Sequence, residues 1–337
     1  VAIRKKLKSH ISKSRLNELP RFNITTAVVL ASFAIAFGVV IVFHSRAAGV
    51  TISVEPETGS LSGTASVGSD AQASNAQYIK FGAGMTGGGT TILADEFNGT
   101  SIDTTKWDVY NRISDQVNQE VNCVIPANVS VSGGILNGFS KHEDHTCGDS
   151  LPSQPQVLEH YTSWQIAQKA AAFQYGTVEV RAKLPGGTGI WPTIFLLGNL
   201  WQPSQAATAN VSGSNWPIGG WSEVDIAEFW QNTRNQVNNV VHFNTASNLV
   251  LDPLPFNATS RFMVYRLQWS ASALTWSVDA EDGVGFRTLR TITDPAQIPN
   301  TPMYLTINAA IGGNGGGIPD PNTFPQTYQI DWIHITQ

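Results

Sequence analysis

Sulfur is scarce in this chain: two Cys and three Met in 337 residues. No cysteine or histidine spacing of the kind that holds zinc occurs, which excludes a zinc-stapled fold. No internal repeat recurs, so solenoids and propellers are set aside. Few segments carry helical period, which argues against a helical bundle. Positive charge is scarce as well, once it is located. Eight of the 20 Lys and Arg lie at or before Arg46, with one of the 25 acidic residues, Glu18, leaving 12 against 24 beyond Gly49. That remainder, near −12, argues against nucleic acid or anionic lipid as partners. What is plentiful, ten Trp and thirty Gly, belongs to a globular β-rich protein rather than a disordered one.

The start differs in kind. Arg4, Lys5, Lys6, Lys8, Lys13, Arg15 and Arg21 precede an uncharged run over residues 24–43, long enough to span a bilayer. Positive residues before a span keep the N-terminus cytoplasmic. Residues 1–23 thus read as a cytoplasmic basic segment, 24–43 as a transmembrane anchor or signal, and everything after His44 as exported. Ser45-Arg46-Ala47-Ala48-Gly49 offers small residues for cleavage, but the apolar run exceeds a usual signal core, which favours an uncleaved anchor. The expectation is a membrane-anchored extracellular protein, or a secreted one if the segment is cut. In an oxidising compartment Cys123 and Cys147 can pair, closing a loop of about 25 residues and stabilising by roughly 3 kcal/mol. The alternative is two unpaired buried thiols.

Residues 50–81 alternate apolar and small polar residues around Gly59, Gly63 and Gly68, the pattern of a short β-rich stalk. Their opening, Val54 to Gly63, resembles the start of β-sandwich carbohydrate-binding modules. Residues 82–90 read as a Gly-rich linker. Across residues 91–337, strand patterns follow one another at 176–184, 190–197, 224–229, 239–243, 263–269, 274–278, 304–309 and 329–335. Short β runs separated by Gly, Pro and Asn turns predict one all-β sandwich or jelly roll.

One strand stands apart: Glu223-Val224-Asp225-Ile226-Ala227-Glu228. Period-two alternation puts Glu223 and Asp225 on one face and Val224 and Ile226 on the other, toward a core. Glu228 would then face the core, unless a bulge at Ile226–Ala227 returns it to the acidic face. Two glutamates flanking a glycosidic bond act as nucleophile and acid/base, and Asp225 between them would pull their pKa values apart. The same strand also reads as a solvated edge, where charges deter pairing. Trp191, Trp201, Trp216, Trp221 and Trp230 crowd the region, and flat apolar rings suit sugar faces, although core packing is equally ordinary for any single Trp. Trp221, two residues before Glu223, is expected on its face.

An ordered series of motifs carries a resemblance across nearly all of residues 91–337. It runs through Asp95-Glu96-Phe97-Asn98-Gly99, Lys106-Trp107, Asn118-Gln119-Glu120, Pro126 to Val129, Gly176 to Pro185 and Gly189-Ile190-Trp191-Pro192. It continues through Trp216-Pro217, the acidic strand, Val241-His242-Phe243, Trp269, Trp276 to Asp279, Asn308 to Asn314 and Ile330-Asp331-Trp332-Ile333. In this series the chain resembles glycoside hydrolase family 16, the laminarinase and endo-β-glucanase family, in its bulged form. The resemblance implies a jelly-roll β-sandwich of the concanavalin A-like lectin/glucanase type whose concave face binds a polysaccharide. It makes Glu223 the nucleophile, Glu228 the acid/base and Asp225 the assisting carboxylate, and places Trp191, Trp216 and His242 in the cleft, with Trp221 counted beside them. For His242 the residues alone fit a satisfied strand histidine equally well.

The implied activity is retaining, endo-acting hydrolysis of β-1,3- or mixed β-1,3/1,4-glucan. The rival readings are a galactan hydrolase, a transglycosylase with the same site, and a non-catalytic, membrane-tethered carbohydrate-binding protein. No cofactor and no catalytic metal is implied. Some relatives hold a structural calcium away from the cleft, for which Glu96 and Asp331 could supply oxygens. The chain departs from the family in the long Ile218 to Ser222 spacer and in the run Gly315-Gly316-Gly317, where glucan-cleaving relatives often carry a Trp.

Overall fold

Gly176 to Lys183 shows how the strands arise. Val178, Val180 and Ala182 are buried while the residues between them keep solvent access, the signature of a strand with one face on a core. The computed structural model describes residues 65–69, 77–81, 89–115, 117–148, 156–199, 221–243, 246–247 and 249–337. The expected membrane segment and most of the stalk and linker lie outside these residues. Among the described residues no helix is long and apolar enough to cross a membrane. Within the stalk, β1 (Ala65–Ser69) and β2 (Gln77–Phe81) pair antiparallel as a sheet of their own.

The further strands in chain order begin with β3 (Thr91–Asp95), β4 (Trp107–Val109), β5 (Cys123–Val124), β6 (Val129–Ser132), β7 (Ile135–Cys147) and β8 (Val157–Ser163). Next come β9 (Gln165–Gln168), β10 (Gly176–Lys183), β11 (Ile190–Gly198), β12 (Trp221–Glu228), β13 (Gln236–Phe243) and β14 (Ala246–Ser247). The last are β15 (Leu251–Pro253), β16 (Met263–Trp269), β17 (Leu274–Asp279), β18 (Arg287–Ile292), β19 (Met303–Ile311) and β20 (Gln326–Thr336). They form a ten-stranded sheet, β18-β17-β16-β10-β20-β7-β8-β5 with β3 on β20 and β6 on β7. An eight-stranded sheet runs β14-β13-β12-β11-β19-β9-β4 with β15 on β13. One apolar cluster lies between them, with Val178, Val180, Trp276 and Ile333 from the first sheet and Ile194, Val224, Val241 and Ile307 from the second. This is the expected all-β sandwich.

Long β7 escaped the sequence pattern because Lys141-His142-Glu143-Asp144-His145 is polar on both faces, which leaves no alternation to detect. Cys123 of β5 and Cys147 of β7 are disulfide-bonded, 24 residues apart in sequence. Of the oxygens considered for calcium, one on each side chain is engaged. Glu96 Oε1 meets the buried ring of His334, and Asp331 Oδ2 accepts from Arg181 Nη1 at 2.7 Å. A guanidinium competes directly with a cation at Asp331 Oδ2.

Candidate active site

Strand β12 begins as alternation dictates, with Val224 buried in the core and Glu223 and Asp225 on the opposite face. The register then slips on both flanks. β11 pairs Phe195 with Asp225 but Ile194 with Ala227, and β13 pairs Val240 with Asp225 but Asn238 with Glu228. The extra residue is Ile226, so the bulge lies where three acids on one face require it. Ile226 and Ala227 both enter the core, and Glu228 rejoins the acidic face.

Two side chains hold this irregular backbone. Asn239 Nδ2 donates to the Ile226 carbonyl at 2.7 Å, and Trp276 Nε1, from the other sheet, donates to the Asp225 carbonyl at 2.8 Å. A buried carbonyl left unpaired costs about 1–3 kcal/mol, so both contacts stabilise the bulge and lock the acids to the sandwich core. Neither Asn239 nor Trp276 was legible as a site residue, because their contacts depend on register and on sheet-to-sheet packing.

Glu223, Asp225 and His242 each bring a polar atom within 4.8 Å of the others. His242 stands opposite Glu223 in register, with Nε2 3.3 Å from Asp225 Oδ2. Asp225 is 1 % exposed, and neither of its oxygens meets a donor in hydrogen-bonding geometry. Adjacent carboxylates can bond only through a proton, and one shared between Asp225 and Glu223 satisfies both.

Burial raises the Glu223 carboxyl well above the usual carboxylate range; the charges of Asp225 and Glu228 add to this, and His242 opposes it. Asp225 is pushed up by burial and by Glu228, against the hydrogen bond with Glu223. Glu228, 6 % exposed, is raised by burial while Trp230, Trp191, His242 and Asn238 hold it down. Three such carboxyls resist ionising together. The cluster therefore keeps a proton to give beside a carboxylate that can attack, which is what separate acid and nucleophile roles need.

Trp191 Nε1 donates to Glu228 Oε1 at 2.8 Å. Its ring meets Trp230 edge-on, centroids 6.3 Å apart and planes at 84°. On the other side lies the glycine run: a Cβ on Gly315 would sit 2.2 Å from the Trp191 indole. No side chain fits there, so the glycine is required by the position of Trp191. Trp201 and Trp216 lie outside the described residues. Trp221 opens β12, but its side chain is likewise outside the description, and a register shift between Trp221 and Glu223 interrupts the alternation that predicted a shared face.

A polar row runs from the acids across the sheet. Glu228 is registered with Thr193, Thr193 with Asn308 and Asn308 with Gln165. Gln165 Oε1 accepts from Arg112 Nε at 3.0 Å, and Arg112 pairs with buried Glu120 at 3.1 Å. The row crosses the strands, the direction in which an extended chain of sugars would lie over several of them.

Comparison with known proteins agrees with this geometry. The family model described as Glycosyl hydrolases family 16 matches residues 156–334. The chain is 28% identical over 269 residues to glucan endo-1,3-beta-glucosidase A1 of Niallia circulans, covering 72% of this chain and 37% of that protein. It is 29% identical over 262 residues to a beta-glucanase of Rhodothermus marinus, covering 72% and 84%. Among solved structures it is similar to LamAcat from Zobellia galactanivorans, with TM-score 0.62, 28% identity, and coverage of 74% of this chain and 98% of that one.

Proposed function

The chain belongs to glycosyl hydrolases family 16, and we propose on that premise that it is a retaining, endo-acting hydrolase of β-1,3- or mixed β-1,3/1,4-glucan. The observation that carries the reading is the bulged strand β12, which gathers Glu223, Asp225 and Glu228 on one face with an indole N–H on Glu228. The named activities of the Niallia and Rhodothermus relatives support the substrate class.

In the first half-reaction Glu223 attacks the anomeric carbon as the glycosidic bond breaks, and Glu228 gives its proton to the departing oxygen. In the second half Glu228, now ionised, takes a proton from water as that water attacks the same carbon and frees Glu223. Asp225 and His242 tune Glu223: Asp225 shares a proton with it, and His242 offsets the negative charge that Glu223 carries when it attacks. The chain's own residues carry out every step, with no cofactor. The polar row from Thr193 to Arg112 offers hydrogen-bonding groups along the direction of a bound glucan.

The basic segment before residues 24–43 supports export with the catalytic sandwich outside the cell, anchored if the segment is uncleaved. Fractionation of expressing cells into membrane and medium tests that placement. For the activity, reducing-sugar release by the full chain is measured on β-1,3-glucan, mixed-linkage glucan, agar-type and carrageenan-type galactans, with Glu223→Gln beside it. Release from a β-glucan that the variant abolishes supports the reading. Release from a galactan alone, or glycan binding without release, overturns it.

A further inference from the structure

Asn238 lies at the centre of the site without a step of its own in the mechanism above. It stands opposite Glu228 in the β12–β13 register, and directly paired residues on adjacent strands present side chains to one another on the same face. It is fully buried, and although neither Nδ2 nor Oδ1 reaches a partner in full hydrogen-bonding geometry, its amide already helps hold the Glu228 carboxyl down. An unsatisfied buried amide costs about 1–3 kcal/mol, and retained orphans of this kind mark positions where something other than stability sets the residue. Across from it, Glu228 has Oε1 engaged by Trp191.

The proposed mechanism makes an unusual demand on Glu228: it is neutral in one half-reaction and ionised in the next. Most side chains suit one of these states. A lysine or indole donates only, and a carboxylate accepts only, but an amide presents both a donor and an acceptor on one rotor. We propose that Asn238 is a positioning residue that pairs with Glu228 in both protonation states, accepting from the carboxylic acid and donating to the carboxylate. The pairing keeps the carboxyl in one rotamer through the cycle. The other groups around Glu228 are Glu223 and Asp225 on its own strand, His242 on β13, and the neutral Trp191, Thr193 and Trp230. Among the described neighbours Thr193 and Asn238 can answer to both states without adding a charge, and Asn238 does so with a separate donor and acceptor atom.

This inference rests on the double-displacement reading, and its test separates the two. In the full chain, Asn238→Leu keeps volume and removes both hydrogen-bonding functions. Hydrogen bonds to ionised groups are the stronger kind, so the net loss falls on the Glu228 carboxylate. The alkaline limb of kcat/KM, where Glu228 loses the proton it must donate, should move up by about half a pH unit or more. On a 2,4-dinitrophenyl β-oligoglucoside, whose departure needs no proton, the second half-reaction should slow by about tenfold or more. A burst of dinitrophenolate should then appear, and azide, which attacks without a general base, should restore turnover.

Asn238→Asp, adding a like charge, should move the limb further in the same direction. A merely structural role predicts lower Tm and kcat with the limb in place and no azide response, and that result overturns the proposal. Carbon-13 titration of the Glu228 carboxyl in wild type and Asn238→Leu reads the pairing without activity: a raised midpoint supports it, and an unchanged one overturns it. A wild-type chain that hydrolyses no glucan overturns the double-displacement reading instead, and the titration still decides the pairing.

Discussion

Carboxylates in the two sheets are treated in opposite ways. In the ten-stranded sheet, Arg181 donates from Nε and Nη2 to the two oxygens of Glu281 at 2.7 and 2.6 Å, and from Nη1 to Asp331 at 2.7 Å. Two acids share one forked cation, the geometry that satisfies a carboxylate best, and the Arg181 guanidinium is held protonated even more firmly than usual by these partners despite its burial. In the eight-stranded sheet, three acids share one histidine, and all three are pushed toward the protonated form. The first arrangement stabilises the fold at any ordinary pH. The second strains it in exchange for carboxyls held toward the protonated form.

The sharpest way to break this contrast is to remove charge from the reactive side. Glu223→Gln should lower kcat on glucan on the order of 10⁴-fold or more, as loss of a nucleophile does, with circular dichroism unchanged. Glu228→Gln should cost about 10²- to 10⁴-fold on glucan, and much of the loss in kcat/KM, though not in kcat, should return on an aryl glycoside whose leaving group needs no proton. Recovery by the Glu223 variant on that substrate would contradict the division of roles.

On the structural side, the expected losses are of stability alone. Cys123→Ser removes the bridge between β5 and β7 and should lower unfolding free energy by about 3 kcal/mol in denaturant titration. Arg181→Met removes the guanidinium from Asp331 and Glu281 and should cost about 1–2 kcal/mol, given the partial exposure of Glu281. Neither change should move the pH limbs of kcat/KM. A shift in those limbs would show that the two sheets are electrostatically coupled.

The subtlest test lies in the pH dependence of stability. A carboxyl whose folded pKa is raised favours the fold while protonated, and that contribution is lost as pH climbs from its unfolded value, 4.5 for Glu, through the folded one. Glu223→Gln, which cannot ionise, should therefore gain in Tm relative to wild type as pH rises through that window, with the two closest at low pH. An inactive variant more stable than its parent at neutral pH would sharpen the contrast; a constant gap would dissolve it.

Much of the reactive side was legible because chemistry left a local trace. Glu223, Asp225 and Glu228 could be placed on one face only by a bulge, and the bulge is present. The disulfide followed from an even cysteine count and expected export, and the sandwich from strand after strand of alternating residues. The calcium reading shows what a local pattern omits: Glu96 and Asp331 could be seen as oxygen donors, but not that His334 and Arg181 each engage one of their oxygens.

By itself the sequence determined the all-β architecture, the acidic strand and its irregularity, because period and composition act between near neighbours along the chain. Tertiary structure alone decided which groups surround the acids. Asn238 meets Glu228 through strand register, Trp276 reaches the Asp225 carbonyl across the sandwich, and Gly315 admits the Trp191 ring from a loop more than a hundred residues away. Hydrogen bonds and excluded volume act over a few ångströms in space, whatever the separation in sequence, so no local pattern could have announced them.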